Sequence, residues 1–160
     1  MPNWAHLHVM INHLPIIGLP LVTLLLVIGM GRRSRELVAT AAALTVLLGA
    51  GSLLVKHSGE EAEEVVEELS WADRQVIHNH EEAGEKATLA ALATALVAVV
   101  VGARAIGQAV LGLTGPALLL VMLLGSSGLM AWTALEGGEI RHDEFSLPAD
   151  RPPGGDEDDR

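Results

Sequence analysis

Residues 87–103 read ATLAALATALVAVVVGA and carry no charged side chain. At ~1.5 Å of rise per helical residue, such a run approaches the ~20 residues that cross ~30 Å of hydrocarbon. Three further runs are built alike, at about 14–30, 37–55 and 109–135. The chain has 160 residues, half of them hydrophobic, yet its formal net charge is −10. A soluble helical domain would spread those charges along its helices. Here they are confined to the stretches between the runs. Lipid offers no partner to a backbone N–H or C=O, so the runs must be helices. The expected fold class is all-α: an integral membrane four-helix bundle.

Basic residues orient it. The turn GRRSRE supplies Arg32, Arg33 and Arg35, and the turn GARAIGQ supplies Arg104. The positive-inside rule places both turns in the cytoplasm and both termini outside. The first run lacks a basic n-region and an A-x-A-like site, so it reads as a retained span rather than a cleaved signal. Between the second and third runs lies KHSGEEAEEVVEELSWADRQVIHNHEEAGEKA. It predicts that the second and third helices extend outside the bilayer as a hairpin. The turn falls at Leu69–Ser70, with Ser70 as an N-cap and Asp73 completing a capping box. Residues 1–145 form the transmembrane domain, and the acidic, Pro/Gly-rich stretch 146–160 reads as a disordered tail.

All seven histidines (His6, His8, His13, His57, His78, His80 and His142) fall on the outer side. On the third helix, His80 shares a face with Gly84, Ala87, Ala91, Thr94 and Ala98, a small-residue stripe suited to the bundle interior. His78 points with Glu81, Glu82 and Glu85 and reads as a surface residue. On the second helix, His57 continues the line Ala43, Val46, Ala50 and Leu53 and leads into Glu61 and Glu64. On the first, His6, Met10 and His13 share a side, with His13 deepest; His6 and His8 read as solvated interface residues. Gly137 and Gly138 are expected to break the fourth helix and turn Glu139, Arg141 and His142 across the outer mouth.

Four helices would then present one histidine each at a similar depth: His13, His57, His80 and His142. Imidazole is a common ligand for haem iron, zinc, copper and non-haem iron, and bundles build such sites from facing helices. Glu81 and Glu139, with Glu61, Glu64 and Glu82 nearby, are candidate ligands or orienting groups. Glu139 and His142 also match the Glu-x-x-His spacing of di-metal carboxylate bundles. The same histidines are equally readable as solvated or hydrogen-bonded caps, and the run EEAEEVVEE as a solvated helix face.

Four short motifs, NHLPIIGLPL, HSGEEAEEVVEEL, HNHEEAGEKA and EGGEIRH, occur in this order between about residues 5 and 145. Together they resemble a four-span bacterial membrane family catalogued as domain of unknown function 2231. The resemblance implies a four-span fold in the bacterial inner (cytoplasmic) membrane and an important outer mouth. Its matching positions are His13, His80, Glu81, Gly137, Gly138, Glu139, Ile140, Arg141 and His142. It implies no reaction.

The leading functional expectation is a small redox or cofactor-binding membrane protein. It would hold a b-type haem or a transition metal ion near the outer face. Two of His13, His57, His80 and His142 would be ligands, with Arg141, Gly137 and Gly138 lining the cofactor. The scarcity of aromatics, a single Phe, three Trp and no Tyr, argues against haem. The alternative is a non-catalytic accessory or scaffold subunit of a membrane complex, with histidines as hydrogen-bonding or pH-sensing groups. The lipid bilayer is the expected partner, with membrane-complex subunits or a homo-oligomer beside it. The chain has no cysteine, which excludes thiolate ligands and thioether-linked haem. It has no G-x-S-x-G, H-E-x-x-H or phosphate loop, and its acidity excludes a nucleic-acid partner.

Overall fold

Local chemistry sets the helix boundaries. The structure, a computed structural model, describes residues 3–69, 71–107 and 112–140. The first span consists of two helices, α1 (Trp4–Ile11) and α2 (His13–Gly31). Asn3 opens α1, its side chain accepting the His6 N–H at 3.1 Å. The break at Asn12 falls where Pro15 has no N–H to offer the Ile11 carbonyl. After α2 the Ser34 N–H donates to Gly29 O at 2.9 Å and the Arg33 N–H to Met30 O at 3.1 Å, a Schellman closure. Arg33 accepts the left-handed conformation this requires, with φ 51°. Ser34 then caps α3 (Arg35–Val66) through the Leu37 N–H.

α4 spans Arg74–Gly107 and α5 spans Thr114–Glu139. The cap expected at Ser70 lies outside the described residues; Asp73 caps α4 instead. Its Oδ1 accepts from the Gln75 N–H at 2.7 Å, and its carbonyl from the Ile77 N–H at 3.1 Å. Among the described residues every regular element is a helix. Four stretches, Trp4–Gly31, Arg35–Val66, Arg74–Gly107 and Thr114–Glu139, are long and apolar enough to cross a membrane. The chain is a multi-pass membrane protein. With 32 and 34 residues, α3 and α4 run about 48 and 51 Å. Both are longer than the ~30 Å of a hydrocarbon core, and the charges between Lys56 and Lys86 lie at one shared end of the pair.

The bundle is packed with its small residues inward. Ala91, Thr94 and Ala98 are buried on α4, while Leu89 and Leu96 are 70% and 72% exposed. Thr45, Ser52, Thr94 and Ser126 are buried hydroxyls. Each Thr returns its proton to the carbonyl four residues back and Ser52 to the one three back. The oxygens of Thr94 and Ser126 also meet at 2.8 Å, joining α4 to α5. Lipid solvates leucine as well as a core would, so leucine gains little by facing inward. Small side chains instead let helices approach and gain dispersion contacts and interhelical hydrogen bonds.

This sorting corrects one sequence expectation. The line Ala43, Ala50, Leu53 and His57 is exposed, and Val46 half-buried; α3 buries Val38, Ala41, Ala42, Thr45, Gly49 and Ser52 instead. Four spans pack with α3 and α4 as the principal pair, α5 against α4 and α2, and α1 laid along α3.

The α3–α4 seam is closest at Gly49. A Cβ placed there would lie 2.6 Å from the Ala95 Cβ and 3.0 Å from the Ala91 carbonyl oxygen, so the helices would have to separate. Gly51, two residues on, faces open space. Gly49→Ala is expected to destabilise the bundle by about 1–3 kcal/mol, the range for overpacking. Gly51→Ala should be neutral or stabilising by up to about 1 kcal/mol, from helix propensity alone. Denaturant titration of both variants in mixed micelles, followed by circular dichroism, checks the contrast.

Candidate functional site

The bundle end where α3 and α4 carry the charges between Lys56 and Lys86 also carries two inward-pointing imidazoles. His80 stands one turn before Gly84 on the buried α4 stripe, as its spacing predicts, and is half-buried. Facing it is His8 of α1, also half-buried. The ring centroids are 6.2 Å apart and the planes nearly perpendicular, at 84°.

Both rings are tethered through Nδ1. His8 Nδ1 lies 3.1 Å from the Val55 carbonyl and 3.1 Å from Ser58 Oγ. The Ser58 hydroxyl spends its own proton on the Val55 carbonyl at 2.8 Å, so toward His8 it accepts. His80 Nδ1 lies 2.9 Å from the Thr133 carbonyl of α5. A carbonyl oxygen can only accept, so Nδ1 carries the proton in each ring. In the neutral imidazole, Nε2 then holds a free lone pair. This is the arrangement by which a backbone carbonyl orients a ligating histidine.

Backbone presses against both rings. A Cβ on Gly137 would sit 2.8 Å from His80 Cε1 and 3.1 Å from its Nδ1. On Gly59 it would sit 3.1 Å from His8 Cε1. A side chain at Gly137 would force the His80 ring to shift, and one at Gly59 would press the His8 ring back by a few tenths of an ångström. α5 runs through Gly137 and Gly138 and ends at Glu139, directly after the pair expected to end it. Gly137 in addition seats the His80 imidazole.

Both rings precede the apolar runs 14–30 and 87–103, and their environment favours the neutral form. Burial holds His80 below its ordinary value, against the opposing pull of the Thr133 carbonyl and the Glu136 carboxylate. Burial likewise lowers His8; the Val55 carbonyl opposes this, and the neighbouring His80 adds to it. Glu136 is itself engaged, accepting from Trp132 Nε1 at 2.7 Å, and the Lys86 ammonium lies 5.4 Å from the centroid of that Trp ring.

The remaining sequence candidates are distributed otherwise. His13 is exposed and donates Nδ1–H to the Val9 carbonyl at 3.0 Å. His57 is exposed against the edge of Trp4, with centroids 5.6 Å apart. Neither is brought to His80. Glu81 is half-buried and pairs with exposed His78 at 3.5 Å, and Glu82 pairs with Lys86 at 2.8 Å. Gly138 and Glu139 end α5, both half-buried. Arg141, His142 and the stretch 146–160 lie outside the described residues. Among the described residues no group of three or more His, Cys, Asp or Glu gathers as a metal cluster.

His8 is the residue that periodicity could have found. The buried positions of α2 are Pro15, Leu19, Val22, Leu26 and Gly29. Seven residues back from Pro15, two helical turns, stands His8, whereas His6 and His13 fall off that stripe. Its reading as a solvated interface residue is corrected accordingly. Compared with family models, with curated proteins and with solved structures, the chain matches none.

Two outcomes follow from this geometry. Gly137→Ala gains up to about 1 kcal/mol of helix propensity and loses about 1 kcal/mol with the His80–Thr133 hydrogen bond. Its thermal stability should thus stay near wild type while the His80 imidazole ¹⁵N resonances move, which NMR of the detergent-solubilised protein reads. Acidification should cost stability. Between their lowered folded values and the ordinary 6.5, these rings bind more protons unfolded than folded. Their contribution is full above about pH 6.5 and is lost as pH falls below it. The thermal midpoint of chelator-treated protein should be lower at about pH 5.5 than at about pH 7.5, and His80→Gln should shrink the difference.

Proposed function

We propose that this chain is a small integral membrane protein whose His8–His80 pair binds a transition metal centre, free or in a b-type haem, in a redox role. The observation that supports this is the shared tether: two imidazoles from different spans, each fixed at Nδ1 by a backbone carbonyl. Holding two rings in place costs conformational entropy, and burying them costs solvation. Both costs are recovered if the Nε2 lone pairs meet a metal. A centre bound there would exchange one electron with a carrier at the bundle end.

In this reading the site faces outward. The Arg32, Arg33, Arg35 and Arg104 turns lie in the cytoplasm, both termini lie outside, and α3 and α4 project beyond the bilayer of a bacterial inner membrane. Lys56 clasps the projecting pair, bonded to Glu60 on its own helix and to Glu85 of α4 at 3.2 Å. Exposed ion pairs of this kind add little stability. Further out, burial and the neighbouring Glu81 and Glu67 raise the Glu63 carboxyl, so acids crowd the tip. A crowded acidic tip suits docking of a basic partner, which keeps the accessory-subunit reading as the second possibility.

The test is a visible spectrum with metal analysis on protein purified in detergent without chelators. Stoichiometric metal or a redox-sensitive Soret band is expected, lost in His8→Ala and in His80→Ala and kept in His13→Ala and His57→Ala. A colourless, metal-free wild type overturns the proposal. A defined partner retained by the histidine variants would then favour the accessory subunit.

A further inference from the structure

We propose that the pair holds one bare monovalent copper ion, two-coordinate between the Nε2 atoms of His8 and His80. This rests on the metal-site reading above and adds which metal.

The donor set is the first argument. Two imidazoles, each with Nδ1 tethered and Nε2 left as the donor, face one another, and among the described residues no third His, Cys, Asp or Glu completes a cluster with them. Zinc takes four ligands and octahedral ions six, whereas monovalent copper, a closed-shell d¹⁰ ion, is satisfied by two nitrogens in line. Glu136, the acid that acts on His80, accepts from Trp132 Nε1. Glu81 is turned to His78.

Spacing is the second. A metal–imidazole bond of about 2 Å, with about 1.1 Å from nitrogen to ring centre, separates two collinear rings by about 6 Å. The centroids stand 6.2 Å apart. Perpendicular planes are compatible with a linear bridge, which does not constrain rotation about its axis.

Room is the third. Ser58, Ala62, Ala83 and Ala87, which flank the two histidines along α3 and α4, are all 7% exposed or less. Gly59 and Gly137 are already filled by the imidazoles. An ion between the two rings asks for no more than the 6.2 Å that already separates their centroids. A porphyrin would have to displace the close contacts with Gly59 and Gly137 that seat both rings.

Anaerobic titration of the chelator-stripped, detergent-solubilised full chain with monovalent copper, in competition with bicinchoninate, tests the proposal. One equivalent should bind, with an X-ray absorption edge typical of two-coordinate copper and a shell of two nitrogens. Binding should weaken at least about tenfold in His8→Ala and in His80→Ala, and remain unchanged in His13→Ala and His57→Ala. Because a variant can misfold, imidazole ¹⁵N NMR of the unmutated protein supplies a second measure. Monovalent silver should shift the Nε2 resonances of two of the seven histidines. Haem binding lost in both alanine variants, without copper binding, overturns the bare ion and leaves the metal-site reading standing. Zinc bound at one equivalent in preference to copper does the same. If no ion and no haem binds, both fall.

Discussion

The close approach of α3 and α4 is the constraint on which the remaining structure depends. At Gly49 the backbone of α3 lies against Ala95 and the Ala91 carbonyl, and a Cβ on Gly102 of α4 would lie 3.2 Å from the Ala42 Cβ. In lipid no hydrophobic effect drives helices together, so association comes from dispersion and hydrogen bonds at short range. Small residues along Ala42, Thr45, Gly49 and Ser52, facing Ala91, Ala95 and Ala98, supply that range. Every leucine moved into this seam would push it apart.

The same pair sets the geometry of the histidine site. α4 can run straight from the seam to His80 because its inward stripe is uniformly small. α3 offers Val55, Ser58 and Gly59 on the face where α1 lies down, and those residues receive the ring of His8. α5 docks on α4 through Thr94 and Ser126, which brings the Thr133 carbonyl and Gly137 under His80. Both imidazoles are thus fixed by neighbouring helices rather than by their own. The polar tethers also account for the two glycines: a ring that must reach a helix carbonyl has to pass close to the backbone above it.

Much of the fold was legible from composition. Segregated charge and four apolar runs imply four membrane helices, because no other structure satisfies the backbone in lipid. The His80 stripe was legible too, since five small residues at helical spacing mark an interior face without ambiguity. Faces of mixed size misled. Ala43, Val46, Ala50 and Leu53 look as apolar as the true α3 interior, and hydrophobicity cannot separate lipid-facing from protein-facing positions when lipid and core are equally apolar. The Gly137–Gly138 pair was legible only in part. Propensity reads it as a helix end, and α5 does end at Glu139, but the imidazole packed against Gly137 is a contact between helices that propensity does not encode.

Local sequence alone determined that this chain is helical, where its spans lie, and that histidine and carboxylate collect at one end. Those properties depend on hydropathy and spacing, which are counted residue by residue. Which histidine meets which was decided only in three dimensions. Residues 8 and 80 lie on helices not adjacent in the chain, and what joins them is the register of α1 on α3 and of α5 on α4. That register follows from the fit of Ser58, Gly59, Thr133 and Gly137 around two rings, a matter of shape between helices that no single helix encodes.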